Sequence, residues 1–156
     1  MRRVLGITFA VLAMAAIAFG ADNTIGTWKR DTAKSKTAAG VSPITNLTVT
    51  REAADGGVKV SAKGERADGS KIDTIAIVKY DGKEVAVTGT GLTFDTTAIK
   101  QVNANTITEE RLKKGGKYHS TVRTVVSADG KTMTSTTKGT GADGKAFTSV
   151  SVFDKQ

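Results

Sequence analysis

The stretch "DGGVKVSAKGERADG", residues 55 to 69, decides the fold class. It places one strand's worth of residues between two Asp-Gly pairs. Inside it Val58, Val60 and Ala62 alternate with Lys59, Ser61 and Lys63. Successive strand side chains point to opposite faces, so one face is apolar and the other wet. Asp-Gly supplies the positive φ angles that tight hairpin loops require. The same signal recurs at Asp81-Gly82, Asp129-Gly130 and Asp143-Gly144, with Gly115-Gly116 of the same kind. Counted from Asp55 the spacings are 13, 13, 34, 14 and 14 residues. Thr- and Val-rich runs fill the intervals, which is the pattern of an antiparallel meander of short strands.

The 34-residue interval is itself broken at "TGTG" (88–91) and "NAN" (103–105). Strands are therefore expected at 25–31, 44–53, 57–66, 70–80, 83–88, 93–101, 105–113, 117–127, 131–140 and 145–154. The single proline, Pro43, falls in the loop before the second strand. No segment beyond the first 20 residues sustains a helical apolar stripe. Thr and Ser occupy both faces of strands such as "KTMTSTTKGT", and large aliphatic residues are few. Small inward side chains leave a cavity where large ones would fill it. The expected fold class is all-β, a single antiparallel up-and-down β-barrel of 8 to 10 strands with Asp-Gly hairpin turns.

The chain opens "MRRVLGITFAVLAMAAIAFGAD", two arginines before an apolar run that ends in small residues. This is the layout of a secretory signal peptide, and the run is short for an anchor of about 20 apolar residues. A leader over 1–20 is expected, with a cut before Ala21 or after it, followed by one barrel domain over 21–156. The protein is then secreted or periplasmic, without stable membrane insertion once the leader is removed. Losing Arg2 and Arg3 leaves 21 basic against 15 acidic residues, a balance of +6. The lysines are scattered, with neither the clustered stripe nor the interleaved aromatics of a nucleic-acid binder. Without Cys, no disulfide framework supports the fold.

"IGTWK" (25–29) resembles the Gly-x-Trp opening of the lipocalins and the "GTWK" opening of the fatty-acid-binding proteins, both members of the calycin group. "FDTTA" (94–98) and the ending "ADGKAFTSVSVFDKQ" are similar to segments of the fatty-acid-binding proteins, and the leader suggests a secreted, bacterial-type member. The resemblance implies a barrel with an internal ligand. Two departures qualify it. Residues 32–43 are too few for the family's helical lid, and its closing Arg-x-Tyr clamp falls on Ser151 and Phe153.

The resemblance also places Trp28, the only tryptophan, at the closed end of the barrel as a structural plug, with Gly26 allowing close strand approach. A ligand-stacking role is the alternative. With the clamp gone, Arg123 is the candidate for an anionic head group, sharing a strand face with His119 and Thr121, while Phe153 lines the cavity. Arg123 could instead lie over Trp28 as a cation–π pair or face solvent. Glu109, Glu110 and Arg111 read as solvated surface.

Catalysis needs convergent titratable groups, and His119 is the single histidine. No enzyme activity, cofactor or metal site is expected, and the separated Asp-Gly pairs lack the dense acidic pattern of a calcium loop. The functional expectation is an exported, monomeric, non-catalytic protein holding a small hydrophobic or amphipathic molecule, lipid or fatty-acid in type. The alternative is a ligand-free structural or interaction module of the cell envelope.

Overall fold

A computed structural model describes residues 21–39 and 41–156, so the leader expected over 1–20 lies outside the described residues. Eleven strands form: β1 Gly26–Lys36, β2 Ile44–Ala54, β3 Gly57–Arg66, β4 Lys71–Val78, β5 Asp81–Ala86, β6 Thr88–Thr90, β7 Thr96–Asn103, β8 Thr106–Leu112, β9 His119–Val126, β10 Thr132–Thr140 and β11 Ala146–Lys155. Every pairing is antiparallel, and no helix occurs among the described residues. The single sheet runs β5-β7-β8-β9-β10-β11-β1-β2-β3-β4-β6. β11 returns to β1 with Trp28 opposite Lys155 and Arg30 opposite Phe153. The sheet's two edges, β5 and β6, are consecutive pieces of one chain segment, so the barrel is nearly closed.

That segment corrects the expected count of 8 to 10 strands. The strand expected at 83–88 starts at Asp81 and divides at Val87, because its two halves pair with different neighbours. Val85 lies opposite Thr97 of β7, whereas Thr88 lies opposite Ile75 of β4. Between them the Val87 amide leaves the ladder and donates to Asp95 C=O at 2.9 Å. "TGTG", expected as a break, instead supplies β6. Gly89 makes this possible: its φ is +121°, and a Cβ there would stand 1.9 Å from Asp73 O.

The turns also differ in detail from the expectation. Glycines 56, 69, 82, 115, 130 and 144 all have positive φ, but the neighbouring aspartates do not. At residues 66–70 the Gly69 amide donates to Arg66 C=O at 3.0 Å while the Arg66 amide donates to Ser70 C=O at 2.9 Å. This is a β-turn followed by one left-handed glycine, a common hairpin with a bulge. Aspartate fixes it from the side chain: Asp68, Asp129 and Asp143 each accept the amide two residues on at 3.0 Å. Asp81-Gly82 is not a loop, since Asp81 already belongs to β5. The reversal falls on Tyr80, the only described non-glycine with positive φ, at 58°.

β1 outruns its expected end at 31. Asp31 pairs with Val152 and Lys36 with Val150, so residues 32–35 bulge outward. The Asp31 carboxylate holds the bulge by accepting the Ala33 and Lys34 amides at 2.9 and 3.0 Å. Inside the barrel, Trp28, Leu47, Ile72, Val126, Met133 and Phe153 form one apolar cluster. Val58, Ala76, Val78, Ile99 and Ile107 form another.

Candidate functional site

The barrel encloses a cavity of about 250 Å³. Leu47 and Val49 from β2, Ile72 and Val78 from β4, Ile99 from β7, Val122 from β9, Met133 from β10 and Phe153 from β11 supply its apolar wall. The alternation that buries Val58 also aims Val60 and Ala62 of β3 into this space. Exposed Gly91 and Thr93 line one end, where the cavity reaches the surface beside Arg66 and Phe94.

Polar side chains interrupt the apolar wall at chosen places. Glu109, on the same face of β8 as Ile107, is 8% exposed. Arg111 grips it with both nitrogens, Nε to Oε1 at 2.8 Å and Nη2 to Oε2 at 2.9 Å, and the Thr97 hydroxyl donates to Oε1 at 2.6 Å. Burial alone would raise the Glu109 pKa, but the Arg111 charge, these hydrogen bonds and the field of Arg51 outweigh it and hold the carboxyl below its ordinary value. Arg111 in turn lies 4.8 Å from the centre of the Phe94 ring, which stacks on Tyr118. The Thr124 and Ser135 hydroxyls satisfy each other at 2.8 Å.

At the opposite end, residues 22–24 close the floor. The Trp28 indole N–H donates to Thr24 C=O at 2.9 Å, and the ring is fully buried. Arg51 sends Nε to Thr24 Oγ1 at 3.0 Å and Nη2 to the Tyr80 hydroxyl at 2.9 Å. That hydroxyl donates onward to Asp22 Oδ2 at 2.6 Å. Burial raises the Tyr80 pKa, with the Arg51 charge opposing. These bonds anchor the unusual backbone at Tyr80. Gly26 leaves room for Lys155, whose Cε would stand 3.0 Å from a Cβ at residue 26 and whose Nζ lies 5.2 Å from the Trp28 ring centre.

The face assignment of β9 is corrected by the structure. His119, Thr121 and Arg123 share a face, but it is the outer one; Ser120, Val122, Thr124 and Val126 point inward. Arg123 therefore neither reaches the cavity nor covers Trp28, a place taken by Lys155. The deciding signal was Val122 and Val126, two apolar residues on the parity opposite to Arg123. The reading of Glu109 and Arg111 as solvated is likewise corrected, and their parity with Ile107 carried the information. Glu110 does face solvent. Phe153 is 5% exposed and lines the cavity.

On the outer face His119 Nε2 lies 3.2 Å from Glu110 Oε2, and the Thr121 hydroxyl donates to Glu110 Oε1 at 3.0 Å. An acid, an imidazole and a hydroxyl thus meet, but in the open, and the hydroxyl bonds the acid instead of the imidazole. No nucleophile is activated by that order. Among the described residues no three His, Cys, Asp or Glu side chains gather as metal ligands.

No protein-family model matches the chain, and no curated protein does. The barrel is similar to the crystal structure of zebrafish ileal bile acid-binding protein complexed with cholic acid, with a TM-score of 0.51 and 14% identity. The match covers 86% of this chain and 100% of that one. At this identity the likeness speaks for the fold alone: an antiparallel, nearly closed β-barrel.

Proposed function

We propose that the protein is an exported, non-catalytic carrier that acts in the periplasm or outside the cell. On this reading it takes a small anionic amphiphile into its barrel. The observation that carries the reading is the cavity wall itself, apolar over most of its surface yet bearing Arg51, Arg66 and Arg111 against one carboxylate, Glu109. Arg111 is neutralised by Glu109. Arg51 and Arg66 have no carboxylate oxygen within 4.0 Å among the described residues, so the positive excess inside is theirs. An apolar pocket with a few placed polar groups is the usual form of a small-molecule site. The structural neighbour, solved with cholic acid, lends support to an amphipathic ligand.

Size narrows the class. About 250 Å³ lies just below the span of about 300–1,000 Å³ typical of drug-sized ligands, which favours one slender acyl chain over a fused-ring molecule. The head group would meet Arg51 at the floor or Arg66 at the rim. A charge-assisted hydrogen bond contributes about 1.5–3 kcal/mol, or roughly tenfold to hundredfold in affinity. Dodecanoate should therefore bind tighter than dodecanol by such a factor, and Arg51→Met or Arg66→Met should abolish the preference. Equal affinity of wild type for both ligands would refute an anionic ligand. Native mass spectrometry of protein purified from its own compartment should show a bound acyl ligand. Protein that emerges empty and binds neither probe would instead fit the ligand-free envelope module.

A further inference from the structure

One inward cation takes no part in the cavity chemistry described above. Arg30 of β1 is 8% exposed, as buried as Glu109. No carboxylate oxygen lies within 4.0 Å of its guanidinium among the described residues. Its Nη1 donates to Ile44 C=O at 2.9 Å, its Nε reaches Ser151 Oγ only at 3.5 Å, and Nη2 has no hydrogen-bond partner. The adjacent Asp31 is already engaged, by Lys34 Nζ at 2.8 Å and by two amides of the bulge. Burial pulls the Arg30 pKa below its ordinary value, with Asp31 only partly opposing. The unpaired Nη2 keeps contact with solvent, so an anion can reach it, and a partly desolvated charge without a counter-ion is relieved by an anion that supplies one.

The bulge and the start of β2 frame a groove beside this guanidinium. Thr32, Ser35, Thr37 and Thr45 line it with Pro43 and Ile44, and no acidic residue does. Ser35 and Thr45 already donate to the carbonyls of Asp31 and Glu65, at 2.5 and 3.0 Å, while Thr32 and Thr37 make no side-chain hydrogen bond among the described residues. We propose that this groove is an oxyanion site of the phosphate or sulfate type, held by the free edge of Arg30 and the hydroxyls of Thr32 and Thr37. A tetrahedral anion offers acceptors in several directions at once, which suits one guanidinium edge with hydroxyls spread around it. A carboxylate offers two coplanar oxygens and would leave one side of the groove unmatched.

The anion has two possible sources. It is either free in solution or the head of an amphiphile whose chain enters the cavity, since Ile44 lines both spaces and Ser151 belongs to the cavity wall. The first source is independent of the proposed carrier function, and the experiment separates them. Inorganic phosphate titrated into ¹⁵N-labelled protein should shift the amides of Thr32, Ser35, Thr37 and Thr45 in a saturable way. Arg30→Gln should abolish the shifts, while Arg51→Met should leave them intact. Dodecyl phosphate is the second probe. Tighter binding than phosphate, with added shifts at Met133 and Phe153, assigns the site to a head group; shifts confined to the groove assign it to the free anion. If neither probe moves the groove amides in wild type, or if Arg30→Gln responds as wild type does, the site is refuted and Arg30 serves only to tie β1 to β2.

Discussion

Two buried side chains carry disproportionate weight. Trp28 is fully enclosed among Leu47, Ile72, Val126, Met133 and Phe153, with its N–H satisfied. Trp28→Ala removes the largest side chain of the floor and should cost about 3–5 kcal/mol in urea denaturation. Native emission should be blue-shifted; water-like emission from folded protein would contradict this burial. Glu109 and Arg111 form the second case, since removing one member leaves the other charged in a poorly solvated site. Glu109→Gln should cost near the lower end of about 3–5 kcal/mol, because the Arg111 side chain is 28% exposed. The Glu109 pKa is depressed in the folded state. Its stabilisation is therefore full above the unfolded value of about 4.3 and is lost as pH falls through the folded value. The stability gap between wild type and Glu109→Gln should hold from about pH 7 down to the unfolded value of about 4.3 and shrink below it; a gap that stays constant in acid would contradict the assigned pair. The interior place of Trp28 was legible through the resemblance that "IGTWK" carries, but Glu109 could not be read from residue type. Charged residues are almost never fully buried unless paired; Arg111 shares the face of Glu109 on β8, but the Thr97 hydroxyl joins them only once β7 lies beside β8.

Elements were legible where period and turn agree. β3 and the hairpins around it follow directly from "GVKVSAKGE" and its Asp-Gly borders, because alternation and turn chemistry give the same boundaries. β9 was legible as a strand but not as to face: "KYHSTVRTVV" has Thr, Ser or Val on both parities, and packing against β8 and β10 chose Val122 over Arg123. The split of β5 from β6 was not legible, because it depends on which neighbours each half finds when the barrel closes. Gly89 is the residue that permits it. Gly89→Ala would push a Cβ into the Asp73 carbonyl at a φ that L-residues avoid, and such strain costs about 1–3 kcal/mol. Hydrogen exchange should show faster opening of Ile75 and Thr90 with β9 to β11 unchanged; unchanged protection at Ile75 would contradict the β4–β6 pairing. The floor segment 22–24 makes a second element-level case. Tyr80→Phe deletes the hydroxyl joining Arg51 to Asp22 and should cost about 1–3 kcal/mol. The Tyr80 pKa is raised on folding, so its contribution is complete below about pH 10 and lost as pH rises through the folded value. The wild-type advantage over Tyr80→Phe should therefore fade in alkali.

At the scale of the whole molecule, the antiparallel meander follows from turn spacing, whereas the count of eleven strands and the character of the interior follow from three-dimensional pairing. A chain poor in large aliphatic residues builds a barrel whose centre stays open and whose few buried charges face inward. Arg51 and Arg66 on β2 and β3 leave that space positive, with Glu109 already committed to Arg111. The floor is sealed by Trp28 and residues 22–24, so a guest would enter past Arg66 and residues 91–94 at the other end. Titration of ¹⁵N-labelled protein with dodecanoate tests this arrangement most directly. Saturable shifts at a stoichiometry of one are expected, centred on Thr97, Ile99, Val122, Met133 and Phe153, with His119 and Arg123 on the outer wall little affected. An absence of shifts at those inward positions up to the solubility limit of the acid, or shifts confined to the outer face of β9, would contradict it.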